Sequence, residues 1–167
     1  MHAHLRRHWD GSPADPARFI RTSARLGPDG LALRCVAPLS STTVHPAPPG
    51  PTPQLWESEV VEWFVAGPDG YTEIELGPFG NHLVLRFSAY RQKVDDLHPI
   101  AYQARITADE NGRRWEGRAL VPTALLPEGP LRINVCAIQP GPVYLQWRPA
   151  RGERPDFHDL RPATALR

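Results

Sequence analysis

The residues of this chain that could do chemistry concentrate between Leu55 and Phe87. Carboxylates, a histidine and an arginine interrupt a stretch otherwise rich in β-branched and aromatic residues; they are Glu59, Glu62, Glu73, Glu75, His82 and Arg86. Such groups can hydrogen-bond the hydroxyls of a polar ligand, and a carboxyl group with a raised pKa can act as a general acid. The chain has no G-x-S-x-G, phosphate-loop or H-E-x-x-H motif and no cysteine pair at zinc spacing. We therefore expect no cofactor and no metal.

Glu62 lies in the run Glu59–Ala66, where apolar residues occupy both faces of a predicted strand. This pattern is typical of an inner strand. A carboxylate there must be paired or hydrogen-bonded, because burying it alone costs several kcal/mol. Two interpretations remain open. Glu62 is either satisfied by an arginine or backbone donors, or it accepts hydrogen bonds from a polar ligand.

The turn Gly77–Asn81 sets the expected partners of Glu73 and Glu75. If Gly77 pairs with His82, Glu73 lies opposite Arg86 and Glu75 lies opposite Val84. The pair Glu73–Arg86 is then either a surface ion pair worth less than about 1 kcal/mol, or part of a concave polar face that recognises hydroxyl groups.

Two of the five tryptophans, Trp56 and Trp147, differ from the others by their position. Trp56 follows a proline-rich segment and Trp147 ends a predicted strand, so both rings are expected at edges where they stay exposed. An exposed flat ring can stack on a sugar, whose axial C–H bonds meet the negative π face. Asn134 interrupts an apolar strand and is either an internal clip or a ligand contact.

The elements that must position these residues are β-strands. The runs Glu59–Ala66, Tyr71–Gly77 and His82–Ser88 are separated by Gly- and Pro-containing turns, which predicts consecutive hairpins. From their alternation we expect one apolar face, formed by Ile74, Leu76, Leu83, Leu85 and Phe87. Similar short runs occupy most of the chain, and no βαβ spacing occurs. The sequence therefore predicts an all-β, antiparallel and jelly-roll-like sandwich of about ten strands.

The rest of the chain fits a single domain spanning residues 1–167. A proline-rich loop is expected over residues 38–53, and Pro122–Leu126 predicts at most one short helical turn. The polar tail, residues 150–167, is expected to be tethered by Phe157 and Leu160.

The overall charge and the apolar runs exclude several classes of partner. The net charge is +1, from 19 basic and 18 acidic residues, and no basic stripe suggests nucleic acid. No apolar run reaches the roughly 20 residues of a membrane span. No signal peptide is visible, so a cytoplasmic protein with two reduced buried thiols, Cys35 and Cys136, is expected. The oligomeric state stays open.

Several motifs resemble, in order, the family-nine-like carbohydrate-binding modules of the wider DOMON-like group of β-sandwiches. They are LWESEVVEWF, YTEIELGPFGNHLVLRF, WEGRALVP, RINVCAI, VYLQWRP and PDFHDL. The likeness spans roughly Trp9 to Leu160 and is nearer still to an uncharacterised single-domain branch of that group. It implies a sandwich that holds a sugar between two tryptophans. The acid-rich calcium loops of those modules have no counterpart here, and neither does the Met–His pair of haem-binding relatives.

The resemblance implies roles for particular residues. Its tryptophan-then-acidic-strand motif falls on Trp56, Glu59 and Glu62, its strand-end aromatic on Trp147 and its asparagine-bearing strand on Asn134. Glu75 and Arg86 match its polar positions loosely.

Our first hypothesis is a non-catalytic module that binds a carbohydrate or another polyhydroxylated small molecule. In it, Trp56 and Trp147 stack, and hydrogen bonds come from Glu62, Glu75, Arg86 and Asn134. A second hypothesis is a small pocket enzyme, an isomerase, cyclase or hydrolase, that uses Glu62, Glu75 and His82. A third is a protein-interaction domain, in which all five tryptophans would be buried.

Overall fold

The computed structural model describes residues 1–40, 44–110 and 112–166, and they form an all-β protein, as predicted. The strands are β1 (His2–Leu5), β2 (Ile20–Gly27), β3 (Gly30–Pro38), β4 (Gly50–Pro51), β5 (Val60–Gly67), β6 (Gly70–Leu76), β7 (Asn81–Ala89), β8 (Gln92–Asp96), β9 (Ala101–Asp109), β10 (Gly112–Val121), β11 (Arg132–Gln139), β12 (Val143–Gln146) and β13 (Thr164–Ala165). Among the described residues the only helical elements are three 3₁₀ turns, at Pro16–Arg18, Leu55–Glu57 and Thr123–Leu125. The last is the turn expected from the sequence.

The strands form two sheets. The order in the five-stranded sheet is β1-β2-β3-β10-β9. The path through the eight-stranded sheet is β12-β11-β5-β6-β7-β4, with β13 also paired to β11 and β8 also paired to β7. Within the described part of the chain every strand pair is antiparallel except β4 with β7. This arrangement confirms the antiparallel sandwich.

An apolar core fills the space between the two sheets. Alternate residues of the strands point into it, as a period of two requires. The five-stranded sheet contributes Leu5, Ile20, Leu31, Leu33, Cys35, Trp115 and Val121 among others, and the eight-stranded sheet contributes Val61, Trp63, Val65, Ile74, Leu76, Val84, Ile133, Val135 and Leu145. Trp63 and Trp115 are fully buried there. Cys35 and Cys136 are both buried free thiols, as predicted.

The eight-stranded sheet buries its outer face as well. A second apolar cluster lies there, and it includes Phe64, Tyr71, Leu83, Leu85, Phe87, Cys136 and Phe157. The prediction of one apolar face is therefore wrong, since Ile74 and Leu76 point to the core while Leu83, Leu85 and Phe87 point outward. The inner-strand interpretation of β5 is confirmed, because all its residues except Gly67 are buried.

The hairpin between β6 and β7 pairs one residue away from the predicted register. The expected pairs Glu73–Arg86 and Glu75–Val84 are wrong, and the observed partners are Leu85 and Leu83. The loop closes earlier than expected because the Gly77 N–H donates to the Asn81 carbonyl at 2.9 Å. A shift by one residue changes the face on which a side chain meets its neighbours. Arg86 consequently pairs with Asp95 at 3.1 Å.

Two segments predicted to be irregular join the eight-stranded sheet. In the predicted loop 38–53, β4 pairs with β7, while residues 41–43 lie outside the described residues. In the predicted tail, β13 pairs with β11 and Phe157 packs on the outer face. Both segments thus border the outer face. Among the described residues we find no helix with the length and apolarity to cross a bilayer.

Candidate functional site

Three glutamates meet on the outer face of the eight-stranded sheet. Along β5, Trp63 points into the core and Glu62 points outward; along β6, Ile74 points inward, whereas Glu73 and Glu75 point outward. The antiparallel register sets Glu62 directly opposite Glu75. Oxygen atoms of Glu62, Glu73 and Glu75 lie within 4.8 Å of one another. We call these three residues the carboxylate cluster.

The carboxylate cluster is buried and short of hydrogen-bond donors. Glu62 is 2% exposed, Glu73 5% and Glu75 0%. Both carboxylate oxygens of Glu75, and Oε2 of Glu62, have no hydrogen-bond partner among the described residues. Neither alternative partner foreseen for Glu62, an arginine or a backbone donor, reaches that Oε2 atom. A buried carboxylate without such partners costs several kcal/mol, so the fold alone does not explain this cluster.

Burial dominates the electrostatics of the cluster. It raises the pKa of Glu62 and of Glu75 well above the usual range of a glutamate, and the neighbouring carboxylates raise both further. Burial also raises the pKa of Glu73 to about 7, although the nearby Glu75 carboxyl group and the charge of Arg91 act in the opposite direction.

A cavity of about 410 Å³ opens above the carboxylate cluster. Its walls combine aromatic rings, carboxylates and cationic side chains; they include Trp56, Glu62, Phe64, Glu73, Phe87, Arg91, Lys93, Tyr144, Phe157 and His158. Trp56 lies at its edge and is 39% exposed, as predicted. That exposure contradicts the expectation of five buried tryptophans that accompanied the protein-interaction hypothesis.

Residues 155–158 of the C-terminal segment cover one side of this cavity. Asp156 accepts hydrogen bonds from the Tyr90 hydroxyl at 2.7 Å and from the Arg91 guanidinium at 3.0 Å. The Phe157 ring meets the Tyr144 ring edge-on, with 6.1 Å between their centroids. These contacts place His158 directly above the outer face.

A short hydrogen-bonded chain connects His158 to the sheet. The Tyr71 hydroxyl lies 2.7 Å from His158 Nδ1 and accepts the backbone N–H of Arg91 at 3.0 Å. His158 Nε2 lies 3.8 Å from Glu73 Oε2. Burial lowers the pKa of His158 to about 4, and the Arg91 charge lowers it further while Asp156 raises it. The imidazole is therefore neutral at physiological pH, and its contact with Glu73 is not an ion pair.

A larger cavity, of about 530 Å³, lies beside the first and shares Ile138 with it. Its main polar side chains are already engaged. Glu59 accepts hydrogen bonds from the Ser40 N–H at 3.1 and 3.0 Å, and the Asn81 amide donates to the Pro48 carbonyl at 2.9 Å. Polar groups without partners are found at the smaller cavity instead, so we assign the candidate site there.

Only part of the predicted site is assembled in this cavity. Trp56 and Glu62 line it, and Glu75 belongs to the carboxylate cluster below it. Arg86 and Trp147 are not among the described residues that line it; Arg86 pairs with Asp95, and the Arg148 guanidinium stacks over the Trp147 ring at 4.7 Å.

Two further candidates also lie elsewhere. The Asn134 amide donates to the Arg148 carbonyl at 3.0 Å and accepts from the Arg148 N–H at 3.2 Å, which is the arrangement of an internal clip. His82 faces the other sheet, where its ring meets that of Tyr102. A ligand contact by Arg86, Asn134 or Trp147 stays a prediction.

Sequence reasoning missed Tyr71 and His158 and gave Glu73 a different partner. The His158-containing motif PDFH was visible, but nothing in its composition indicates that it folds back over residues 87 positions earlier. Glu73 could have been placed beside Glu75 from alternation alone, because residues two apart on a strand share a face.

No family model matches the chain. Its sequence is 34% identical to the UPF0462 protein C4orf33 homolog of Danio rerio, over 96% of this chain and 85% of that protein. It is also 34% identical to the UPF0462 protein C4orf33 of Homo sapiens, over 91% of this chain and 80% of that protein.

The fold matches the crystal structure of a Bacteroides uniformis protein that is proposed to bind carbohydrate. The TM-score is 0.76, with 18% sequence identity over 99% of this chain and 85% of that protein. At this level of identity, the likeness shows a shared all-β fold.

Proposed function

This chain belongs to the UPF0462 family, and we propose that it binds a carbohydrate or a similar polyhydroxylated small molecule in the cavity above the carboxylate cluster. The observation that carries the proposal is the lining of that cavity, where aromatic rings and hydrogen-bonding groups of both signs converge. Apolar walls with a few convergent polar groups are the usual composition of a small-molecule site, and about 410 Å³ lies within the usual size range.

The aromatic rings and the hydrogen-bonding side chains of the cavity match the apolar C–H faces and the hydroxyl groups of a sugar, respectively. The exposed ring of Trp56 at the edge, with Tyr144 and Phe157 further in, offers flat apolar surface for C–H groups. Glu62 and Glu73 can accept hydrogen bonds from hydroxyls, while Arg91 and Lys93 lack acceptor atoms and can only donate. A ligand that carries many hydroxyls can satisfy both sets at once.

The structural neighbour supports the same reading. The Bacteroides uniformis protein with this fold is itself proposed to bind carbohydrate. Because a fold hosts many functions, this likeness adds support to the cavity chemistry and does not replace it.

The test is a titration of the protein with a panel of mono- and disaccharides, followed by tryptophan fluorescence and by calorimetry. We expect saturable binding that Trp56→Ala weakens at least tenfold. Trp147→Ala is the matched control, since that ring lies outside the cavity. Loss of binding in Trp147→Ala alone would place the site outside this cavity and reject the assignment. No binding by the folded wild type across the panel would reject the proposal.

A second candidate function is acid–base catalysis on such a ligand. The arrangement that favours it is the chain from Tyr71 through His158 to Glu73, which sets an imidazole 3.8 Å from a carboxyl group beside the cavity. The catalytic set expected from the sequence is not assembled, because His82 faces away from Glu62 and Glu75. Proton NMR of each bound sugar during prolonged incubation distinguishes the two functions. A new product that His158→Gln abolishes supports catalysis, and an unchanged spectrum supports binding alone.

A further inference from the structure

The carboxylate cluster has no salt bridge to a cationic side chain among the described residues. None of its three glutamates forms a salt bridge with an arginine or lysine among the described residues, and the group nearest to being a cation is His158, 3.8 Å from Glu73. Among the described residues, three carboxyl groups therefore approach one another with no arginine or lysine paired to any of them, although Arg91 and Lys93 line the same cavity.

Glu75 gives separate evidence for an external partner of the cluster. It is 0% exposed, and neither of its carboxylate oxygens has a hydrogen-bond partner in the described part of the chain. One of these oxygens lies within 4.8 Å of the ligating atoms of Glu62 and Glu73. A glutamate held only by packing would be replaced by an apolar residue at no cost in hydrogen bonding. An unpartnered carboxylate at the centre of a buried cluster instead indicates an external partner.

We propose that Glu62, Glu73 and Glu75 bind one hard divalent cation, of the class of Mg²⁺, Ca²⁺ or Mn²⁺. Such ions select carboxylate oxygens, at metal–oxygen distances of about 2.0–2.6 Å. Oxygens on opposite sides of such an ion are then about 4–5 Å apart, which agrees with the spread of up to 4.8 Å. The remaining coordination positions face the cavity and take water or oxygen atoms of a ligand.

The backbone holds these ligands in a fixed arrangement. Glu62 and Glu75 are direct cross-strand partners on β5 and β6, and Glu73 follows two residues away on the same face. Strands in the middle of a sheet are rigid supports for a metal site. Glu62 and Glu73 also line the cavity, which gives the ion a path from solvent.

The spacing of Glu62, Glu73 and Glu75 matches none of the metal motifs sought in the sequence, so no metal is expected from the sequence alone. The ligands come together through strand pairing and not through a local loop. The inference does not depend on sugar binding, because the cluster and its unpartnered carboxylate oxygens are the same whatever occupies the cavity.

The first test measures Mn²⁺ binding by electron paramagnetic resonance of the free ion, on chain stripped with chelator. We expect one Mn²⁺ per chain, with competition by Mg²⁺ or Ca²⁺. Glu75→Gln keeps the shape of the side chain and removes its charge, and should weaken the affinity at least tenfold. Glu116→Gln, on the opposite outer face, is the matched control and should bind like the wild type.

Thermal unfolding distinguishes a loss of cation binding from a loss of folding in the variants. Divalent cation should raise the melting temperature of the wild type and of Glu116→Gln, and leave that of Glu75→Gln unchanged, although all three fold in chelator. Absence of Mn²⁺ binding by folded wild type would show that protons alone neutralise the cluster and would overturn the proposal. Equal binding by Glu75→Gln would overturn it too, since the ion would then sit elsewhere, for example at His2 and His4.

Discussion

The outer faces of the two sheets give their glutamates, Glu116 and Glu75, opposite surroundings. On the five-stranded sheet, Glu116 accepts hydrogen bonds from Arg34 at 2.8 Å and from Arg118 at 2.5 Å, close to solvent. These partners lower its pKa to about 2. On the eight-stranded sheet, Glu75 is fully buried and has no hydrogen-bond donor among the described residues, and burial raises its pKa well above the usual range. Both residues lie within strands and point away from the common core.

The contrast separates a solvated face from a functional one. A carboxylate on a wet face is easily compensated by arginines, at little gain or loss in stability. A carboxylate that is covered and left uncompensated lowers stability, and natural proteins retain such costs chiefly at sites of function. The predictions below alter one member of this comparison at a time, beginning with the largest expected effect.

The largest effect is expected from replacing Glu75, the buried glutamate of the comparison, with a neutral residue. In chelator at neutral pH, Glu75→Gln should increase the free energy of unfolding by about 2 kcal/mol, because it removes a buried charge and supplies amide donors to Glu62 and Glu73. For a domain of this size that corresponds to roughly 4–8 °C in melting temperature. The same substitution at Glu116 should change the free energy of unfolding by no more than about 0.5 kcal/mol. A lower melting temperature for Glu75→Gln would mean that its carboxylate is compensated after all.

A smaller effect is expected from loosening the cover of the buried face. Tyr71→Phe keeps the ring that stacks on Phe87 and removes the hydroxyl that joins Arg91 to His158. Loss of these hydrogen bonds should cost about 1–2 kcal/mol. Opening of residues 155–158 should then become about 5–30 times more frequent.

The reactivity of two thiols measures that opening. Cys136 packs with Phe157 on the outer face, whereas Cys35 lies between the sheets, and burial raises the pKa of both. In Tyr71→Phe, a disulfide reagent should react faster with Cys136 and at an unchanged rate with Cys35. Tyr144→Phe is the control, since the Tyr144 hydroxyl has no hydrogen-bond partner among the described residues. Equal acceleration at both thiols would indicate global unfolding and contradict a local cover.

The smallest effect is expected at Glu116, the ion-paired glutamate of the comparison. Because Arg34 and Arg118 lower the pKa of Glu116 from 4.5 to about 2, this ionised glutamate contributes stability above about pH 4.5. The contribution is lost as the pH falls through about 2. Since the ion pair is solvent-exposed, we expect this contribution to be no more than about 0.5 kcal/mol. Urea unfolding of the wild type and of Glu116→Gln should differ slightly at pH 7 and converge near pH 2. If the difference in free energy of unfolding between the two proteins grew as the pH fell, ionisation of Glu116 would destabilise the fold, and the prediction would be wrong.

Much of the architecture could be predicted because strand alternation and turn residues are local signals. The hairpins around Gly67–Gly70, the inner position of β5 and the exposed edge position of Trp56 all follow from composition and spacing. At Gly70 the backbone has φ near +138°, and a Cβ atom there would lie 2.2 Å from the Phe87 carbonyl oxygen, so a turn glycine is required.

The site was less predictable because it depends on contacts between residues that are far apart in the sequence. One residue of register decided that Arg86 pairs with Asp95 and not with Glu73, and turn residues alone did not fix it. The segment with Phe157 and His158 reads as polar, yet it covers an apolar face. Since both faces of the eight-stranded sheet are buried, the alternation of apolar residues could not distinguish core from site.

The separation of Tyr71 and His158 by 87 positions also has a consequence for synthesis of the protein. A ribosome adds roughly 5–20 residues per second, so the strands that carry the carboxylate cluster are made several seconds before the segment that covers them. During this interval, the three glutamates of the carboxylate cluster and the aromatic side chains around them lack the cover that residues 155–158 provide. A chaperone or a divalent ion present at that moment would meet the site in its most open form.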